Sequence, residues 1–213
     1  MISRRGIWLT GLVLILLLGT AAIFHFRNAS TEEIKQRTVL VPLWNGEAEN
    51  SGDGWTSPVG PEYFIRPEEG VAHSGSRAVH FHATAKDRWM EWGWRWFPWW
   101  PPASGTDLRP YSTLHFALRV SGRSIPPGMH VRLDSPPTGK SKMLPLETYE
   151  PKYADGSWHE IRIPLADFHE PGMTYDPAHT TELFFGVWCV DADFEVYLDD
   201  IQLLGLRKES DLR

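Results

Sequence analysis

Beyond Gln36 the chain is written in short runs in which apolar and polar residues alternate, with Gly, Pro, Asp and Ser between the runs. A period of two is the mark of a half-buried strand. The pattern predicts strands over 38–43, 63–66, 77–84, 88–96, 113–120, 130–133, 142–147, 158–164, 183–190 and 194–204. Turn signals fall between them at 50–54, 74–76, 126–128, 136–139 and 155–156. No stretch after Gln36 keeps a helical period for three turns. Many short strands with regular turns give an all-β fold, a two-sheet antiparallel β-sandwich or jelly roll.

One stretch departs from ordinary patterning. Residues 88–102 read RWMEWGWRWFPWWPP and hold six of the eleven tryptophans. Met90, Trp92, Trp94 and Trp96 share one parity, and Trp89, Glu91 and Arg95 the other. Pro98, Pro101 and Pro102 have no N–H for a ladder, so residues 97–102 form a stiff loop after the strand. Trp92 and Trp94 are read as core. Trp89, Trp96, Trp99 and Trp100 are read as a platform on which the flat C–H faces of a sugar ring stack. Rings held stiffly lose little entropy on binding.

Parity also sorts the other strands. His130, Arg132 and Asp134 oppose Met129, Val131 and Leu133, and Glu160 and Arg162 oppose Ile161 and Ile163. Along 183–190 both parities are apolar, so that strand is covered on both sides or lines a groove. Trp188 therefore has two readings, core ring or second platform.

Charge and cysteine content narrow the partners. The 213-residue chain carries a formal charge of −6, which excludes nucleic acid as a main partner because that demands a basic patch. A single cysteine, Cys189, excludes an intrachain disulfide and a cysteine-based zinc cluster. Residues 6–26 form an apolar run preceded by Arg4 and Arg5, long enough to span a bilayer. It is read as an uncleaved signal anchor, one N-terminal transmembrane helix with the N-terminus cytoplasmic and the rest extracytoplasmic, periplasmic or at the cell surface. The expected organisation is anchor 1–27, polar spacer 28–37, β-domain 38–206 and charged tail 207–213.

Ordered segments carry a family resemblance. EAENSGDGW at 47–55, GVAHSGSRAVHF at 70–81, DLRPYSTLHF at 107–116, GSWHEIRIPLADF at 156–168 and VYLDDIQL at 196–203 resemble the galactose-binding-like jelly rolls, the group that holds many carbohydrate-binding modules. The resemblance spans about residues 38–206. It implies a structural Ca²⁺ between the opening and closing segments, with Glu47 (or Glu49) and Asp199 as side-chain ligands and backbone carbonyls near 74–77 completing the shell. Hard carboxylate oxygens suit that ion. A second reading of Asp199–Asp200 needs no metal. Leu198 and Ile201 both belong in the core yet differ in parity, which calls for one extra residue, a β-bulge.

Three function classes follow. A glycosidase needs two carboxylates about 5–9.5 Å apart. Glu91 and Glu147 are candidates on strands and Asp134 a third, and no local motif pairs them. Tyr111, His130 and Arg132 are the residue types of a polysaccharide lyase, and His80 with His82 of a two-histidine metal site; nothing in the sequence groups either set with partners. A scaffold reading uses the same fold for a protein or membrane contact. The reading that asks least is non-catalytic polysaccharide or cell-surface glycan binding. Trp89, Trp96, Trp99, Trp100 and Trp188 would stack, and Arg132, Asp134 and Glu91 would take hydroxyls. His130, Arg132 and Asp134, with Glu160 and Arg162, are candidates to meet Trp89 or Trp188 across one sheet face; for Glu160 and Arg162 the favoured reading is instead a surface ion pair worth little. Glu91 is alternatively an acceptor for Arg95, four residues on.

Overall fold

The computed structural model describes residues 38–44, 47, 53–57, 63–95, 105–135 and 139–206, with one compact unit over Val39–Leu206. Trp96, Trp99, Trp100, Glu49, the apolar run 6–26, the spacer 28–37 and the tail 207–213 lie outside the described residues. No helix among the described residues is long and apolar enough to cross a membrane.

Among the described residues there are ten strands: β1 (Thr38–Trp44), β2 (Asp53–Ser57), β3 (Tyr63–Glu69), β4 (Arg77–Arg95), β5 (Thr113–Ser124), β6 (His130–Ser135), β7 (Gly139–Lys140), β8 (Leu144–Pro145), β9 (Trp158–Pro164) and β10 (Glu182–Leu206). 3₁₀ turns at Leu146–Thr148, Leu165–Phe168 and Pro177–His179 intervene among the described residues. The expected strands 77–84 and 88–96 are one strand, as are 183–190 and 194–204. The expected strand 142–147 is instead the two residues of β8 followed by a 3₁₀ turn, and β2 begins inside the expected turn 50–54.

β4 and β10 pair antiparallel without a slipped residue, from Glu182 opposite Arg95 to Leu198 opposite Val79. Each half of this ribbon recruits different neighbours. β2 joins the C-terminal half of β4, and β6 the N-terminal half of β10. β3 joins the other half of β4, and β5, followed by β9, the other half of β10. Hydrogen bonds thus make one continuous sheet, while packing makes two layers. Phe81 of one half of β4 stacks on Trp92 of the other, with ring centroids 4.3 Å apart and planes 5° apart. Phe185 and Phe194, from the two halves of β10, both reach Trp92, at 5.6 and 6.0 Å. Each such ring removes about 150–250 Å² from water, so these aromatics dominate the core.

Folding the ribbon over changes which parity points inward. Val79, Phe81 and Ala83 are buried before the bend, and Met90, Trp92 and Trp94 after it. On β10 the buried set changes from Leu183, Phe185, Val187 and Cys189 to Ala192, Phe194, Val196 and Leu198. The change of parity coincides with Asp87, which holds a left-handed backbone at φ 47°. A second left-handed residue, Asp200 (φ 49°), sits where the register against β5 shifts between Asp199 and Gln202. That is the extra residue demanded by Leu198 and Ile201, both of which are buried.

The left-handed region costs an ordinary side chain about 1–2 kcal/mol, and Asp tolerates it better than a β-branched residue. Asp87→Val is therefore expected to destabilise the fold by roughly that amount, and Asp87→Gly to leave it unchanged or slightly more stable. Urea unfolding followed by tryptophan emission checks this. A valine variant as stable as the parent would mean the ribbon bends without help from that backbone state.

Candidate functional site

The outward face of the first layer follows from strand register alone. Three rows of side chains cross it: Arg95, Glu182 and Asp134; then Trp55, Gly93, Phe184 and Arg132; then Ser57, Glu91, Gly186 and His130. Beyond them Trp89 and Trp188 stand directly opposite each other on β4 and β10. They are the largest exposed rings among the described residues, Trp89 at 36% and Trp188 at 52% of full exposure.

Two glycines let the rings lie low on this face. A Cβ on Gly93 would come within 2.6 Å of Trp55 Nε1, and one on Gly186 within 2.5 Å of Trp89 Cζ2. Each indole thus rests in the notch left by a missing side chain on the neighbouring strand. Phe184 is fully buried although it points outward, because Arg132 lies over its ring at 3.2 Å and Trp55 packs beside it at 5.6 Å.

The charges on the face are matched to one another. Arg132 forks onto Asp134, Nε to Oδ1 at 2.7 Å and Nη2 to Oδ2 at 3.0 Å. Arg95 Nε donates to Glu182 Oε2 at 2.7 Å, and Trp55 Nε1 donates to the same oxygen at 3.1 Å. Burial pushes the Glu182 carboxyl above its ordinary pKa, while the adjacent Arg95 guanidinium pulls it back. Trp89 Nε1 donates to Glu91 Oε1 at 2.9 Å. His130 sits beside Trp89, ring centroids 6.4 Å apart, with a buried Nδ1 that has no partner among the described residues.

Of the expected site residues, Trp89, Trp188, Glu91, Arg132 and Asp134 come together here, with His130. Trp96, Trp99 and Trp100 lie outside the described residues. Glu160 and Arg162 do not join them. They are on β9 in the second layer, exposed and 3.4 Å apart, an ion pair of the kind that contributes little. Glu91 does not pair with Arg95, which reaches across to β10 instead. The expectation missed Trp55, Arg95 and Glu182. One signal was available: a lone glycine inside an aromatic strand, as in Trp92–Gly93–Trp94 and Phe185–Gly186–Val187, marks close approach of another group.

The other candidates disperse. Tyr111 packs at Gly205, near the opposite end of β10 from the segment that pairs with His130 and Arg132. Glu147 is exposed on the turn Leu146–Thr148. His80 stacks on Tyr197 at 4.4 Å and bonds Glu68, while His82 stacks on Phe64 at 5.5 Å. Among the described residues no three His, Cys, Asp or Glu side chains form a group able to hold a metal ion.

Glu47 and Asp199 do converge on one turn. Glu47 Oε1 accepts from the backbone N–H groups of Ser76 (2.6 Å) and Arg77 (3.2 Å), and Oε2 from the Ser76 hydroxyl (2.9 Å). Fully buried Asp199 accepts at Oδ2 from the N–H groups of His73 (2.9 Å) and Ser74 (3.1 Å). The carboxylate oxygens are the donor type Ca²⁺ takes, but here the turn meets them with N–H groups, which a cation would have to displace. The Ser76 N–H holds the Glu47 carboxyl below its ordinary pKa, whereas burial raises that of Asp199.

Comparison with known proteins agrees with this fold. The family profile of carbohydrate binding domain 30 matches residues 45–204. The family 30 carbohydrate-binding module of the cellulosomal cellulase Cel9D-Cel44B of Clostridium thermocellum superposes with a TM-score of 0.61 at 16% identity, over 78% of this chain and 98% of its own. The family 11 module from the same organism, in complex with a β-1,3-1,4-mixed-linked tetrasaccharide, gives 0.52 at 14% identity, over 80% and 98%. A β-1,2-glucanase from Parabacteroides distasonis gives 0.54 at 19% identity, over 78% of this chain but 24% of the enzyme. Among curated proteins no sequence matches. The profile covers most of the chain, and the chain belongs to the carbohydrate binding domain 30 family.

Proposed function

We propose that this carbohydrate-binding domain takes an extended, uncharged polysaccharide chain on the outer face of its first layer, with Trp55, Trp89 and Trp188 as the stacking rings. The observation that carries the reading is the cross-strand pair of exposed tryptophans on a face whose charges are already matched. Matched charges leave little to attract an ionic ligand, while flat rings suit the C–H faces of pyranoses. The described residues of the face form a sheet surface along which an extended chain can lie. No catalytic step is proposed: Glu91 is engaged by Trp89 and Asp134 by Arg132. Activity of the β-1,2-glucanase stays with that protein, most of which has no counterpart here.

The reading is tested by affinity electrophoresis in soluble mixed-linkage β-1,3-1,4-glucan, chosen from the family 11 neighbour. Trp89→Ala and Trp188→Ala are each expected to weaken binding about tenfold, the equivalent of about 1.4 kcal/mol, with unchanged unfolding curves. A chain that ignores this glucan, amorphous cellulose and other neutral glycans, yet captures one protein, would replace the reading with a scaffold.

The proposal includes an extracytoplasmic placement behind the anchor at 1–27, which rests on the apolar run alone, and a structural Ca²⁺ held by Glu47 and Asp199. The metal is tested against the clamp. Melting in millimolar Ca²⁺ and in chelator is expected to differ for the parent chain and not for Glu47→Ala. Equal melting in both would leave the carboxylates as hydrogen-bonding clamps only.

The clamp has its own pH signature. A folded-state pKa below the ordinary 4.5 means that Glu47 stabilises above that value and that its contribution is lost as pH falls through the lowered one. Asp199, with a raised pKa, runs the other way. Its contribution is present in acid and lost as pH rises through the raised value. In chelator the melting temperature of Glu47→Ala should therefore lie below the parent at neutral pH, and the gap should close in acid. A gap independent of pH would show that the glutamate acts through packing.

A further inference from the structure

Two of the three platform rings are built in the same way. Trp55 lies in the notch at Gly93 and gives its indole N–H to Glu182; Trp89 lies in the notch at Gly186 and gives its indole N–H to Glu91. The partners are placed differently. Glu91 is two residues along the same strand from Trp89, while Glu182 reaches Trp55 from a strand 127 residues away in sequence. Arriving twice from different backbone geometries at a ring over glycine with its N–H on a carboxylate points to a requirement for ring orientation.

We infer that Glu91 and Glu182 are positioning residues, whose carboxylates fix the planes of Trp89 and Trp55 and make no contact with the glycan. A ring on a strand turns about two side-chain torsions. The notch limits how deep it lies, and the N–H bond removes the remaining freedom. Ordering of this kind before binding lowers the entropy cost when a sugar stacks. The indole edge is spent on the carboxylate, so only the ring face is offered to ligand.

Glu182 does a second job at the same oxygen. It holds Arg95, whose guanidinium lies 5.8 Å from the centroid of the Trp55 ring. That ring is thereby kept between a carboxylate at its edge and a cation near it, next to Phe184. The inference rests on the glycan-binding reading, and it changes the role of Glu91 from sugar contact to ring tether.

The experiment uses the full-length chain and two readouts. Exchange of the indole N–H protons of Trp55 and Trp89 is followed by NMR, each assigned from its Trp→Phe variant. Affinity for mixed-linkage β-1,3-1,4-glucan is measured alongside. Glu91→Leu and Glu182→Leu are expected to speed exchange at their own tryptophan only and to weaken binding roughly five- to twentyfold through lost preorganisation. Glu91→Gln and Glu182→Gln keep an acceptor oxygen and are expected to restore slow exchange and near-parental affinity.

Glu182 is buried beside Arg95, so its leucine variant can fail to fold. Glu91→Leu, on the more open tether, and Glu182→Gln then decide. Leucine variants that free the indole N–H yet bind like the parent would overturn the inference and leave the binding face intact. Glutamine variants that bind as weakly as leucine, with the indole still protected, would mean that the carboxylates touch the sugar directly. Parental protein that binds no glycan, with both indoles protected, would overturn the reading beneath it and this role with it.

Discussion

Continuous pairing of β4 with β10 is the constraint from which the rest of the molecule follows. The ribbon keeps its register through a bend and presents both its halves to one core, and the inward parity changes near the bend. Asp87 provides that change on β4. Once the ribbon is fixed, every other strand has one place to pair, and the composition of the outer face is settled by register. Slipping the ribbon by one residue would exchange the buried Trp92 and Trp94 with Glu91, Gly93 and Arg95, at the cost of the core. The core therefore guarantees the platform: the aromatic stack of Phe81, Trp92, Phe185 and Phe194 holds Trp89 and Trp188 outward.

The outer face shows how a surface can be polar in composition and still suit a neutral ligand. Two arginines, two acidic partners and a further glutamate lie on it, and each is committed to a neighbour on the same face. Charge that is already matched has little left to gain from an ion, and breaking a partly buried pair costs more than an exposed one. What remains accessible is ring surface, whose attraction for C–H groups does not depend on ligand charge. Arg132 illustrates the economy of the arrangement, serving as lid over Phe184 and partner of Asp134 at once.

Alternation made much of this visible in the chain. It placed β9 at its observed bounds, assigned Trp92 and Trp94 to the core, and put His130, Arg132 and Asp134 on the face that holds Trp89 and Trp188. Parity reports which side of a strand a residue takes, but it carries no information on which strand lies alongside. For that reason it left the platform open to Glu160 and Arg162 beside the favoured ion-pair reading, and β9 pairs in the other layer, where the two do form an exposed ion pair. Glu182 could not be linked to Trp55 or Arg95, because its partners lie 127 and 87 residues away. Trp55 itself was hidden because β2 is five residues long and opens with Asp and Gly, which read as turn. The bend was legible only as a gap between two strands, since a strand that changes parity looks like two.

The turn at residues 73–76 ties the far end of the molecule to the same constraint. β4 begins at Arg77, immediately after that turn, and the turn is held from two sides by Glu47 and Asp199. Asp199 lies on β10 beside the left-handed Asp200, which itself takes the Ser74 hydroxyl and the His73 ring. The clamp therefore fixes where β4 enters the sheet relative to β10. Because the ribbon carries no slip between there and Arg95, that starting point also decides that Gly186 falls beneath Trp89. Clamp and platform are far apart along the ribbon, yet both answer to the same register. An error of one residue at the turn would arrive at the other end as a side chain where the Trp89 indole needs a glycine.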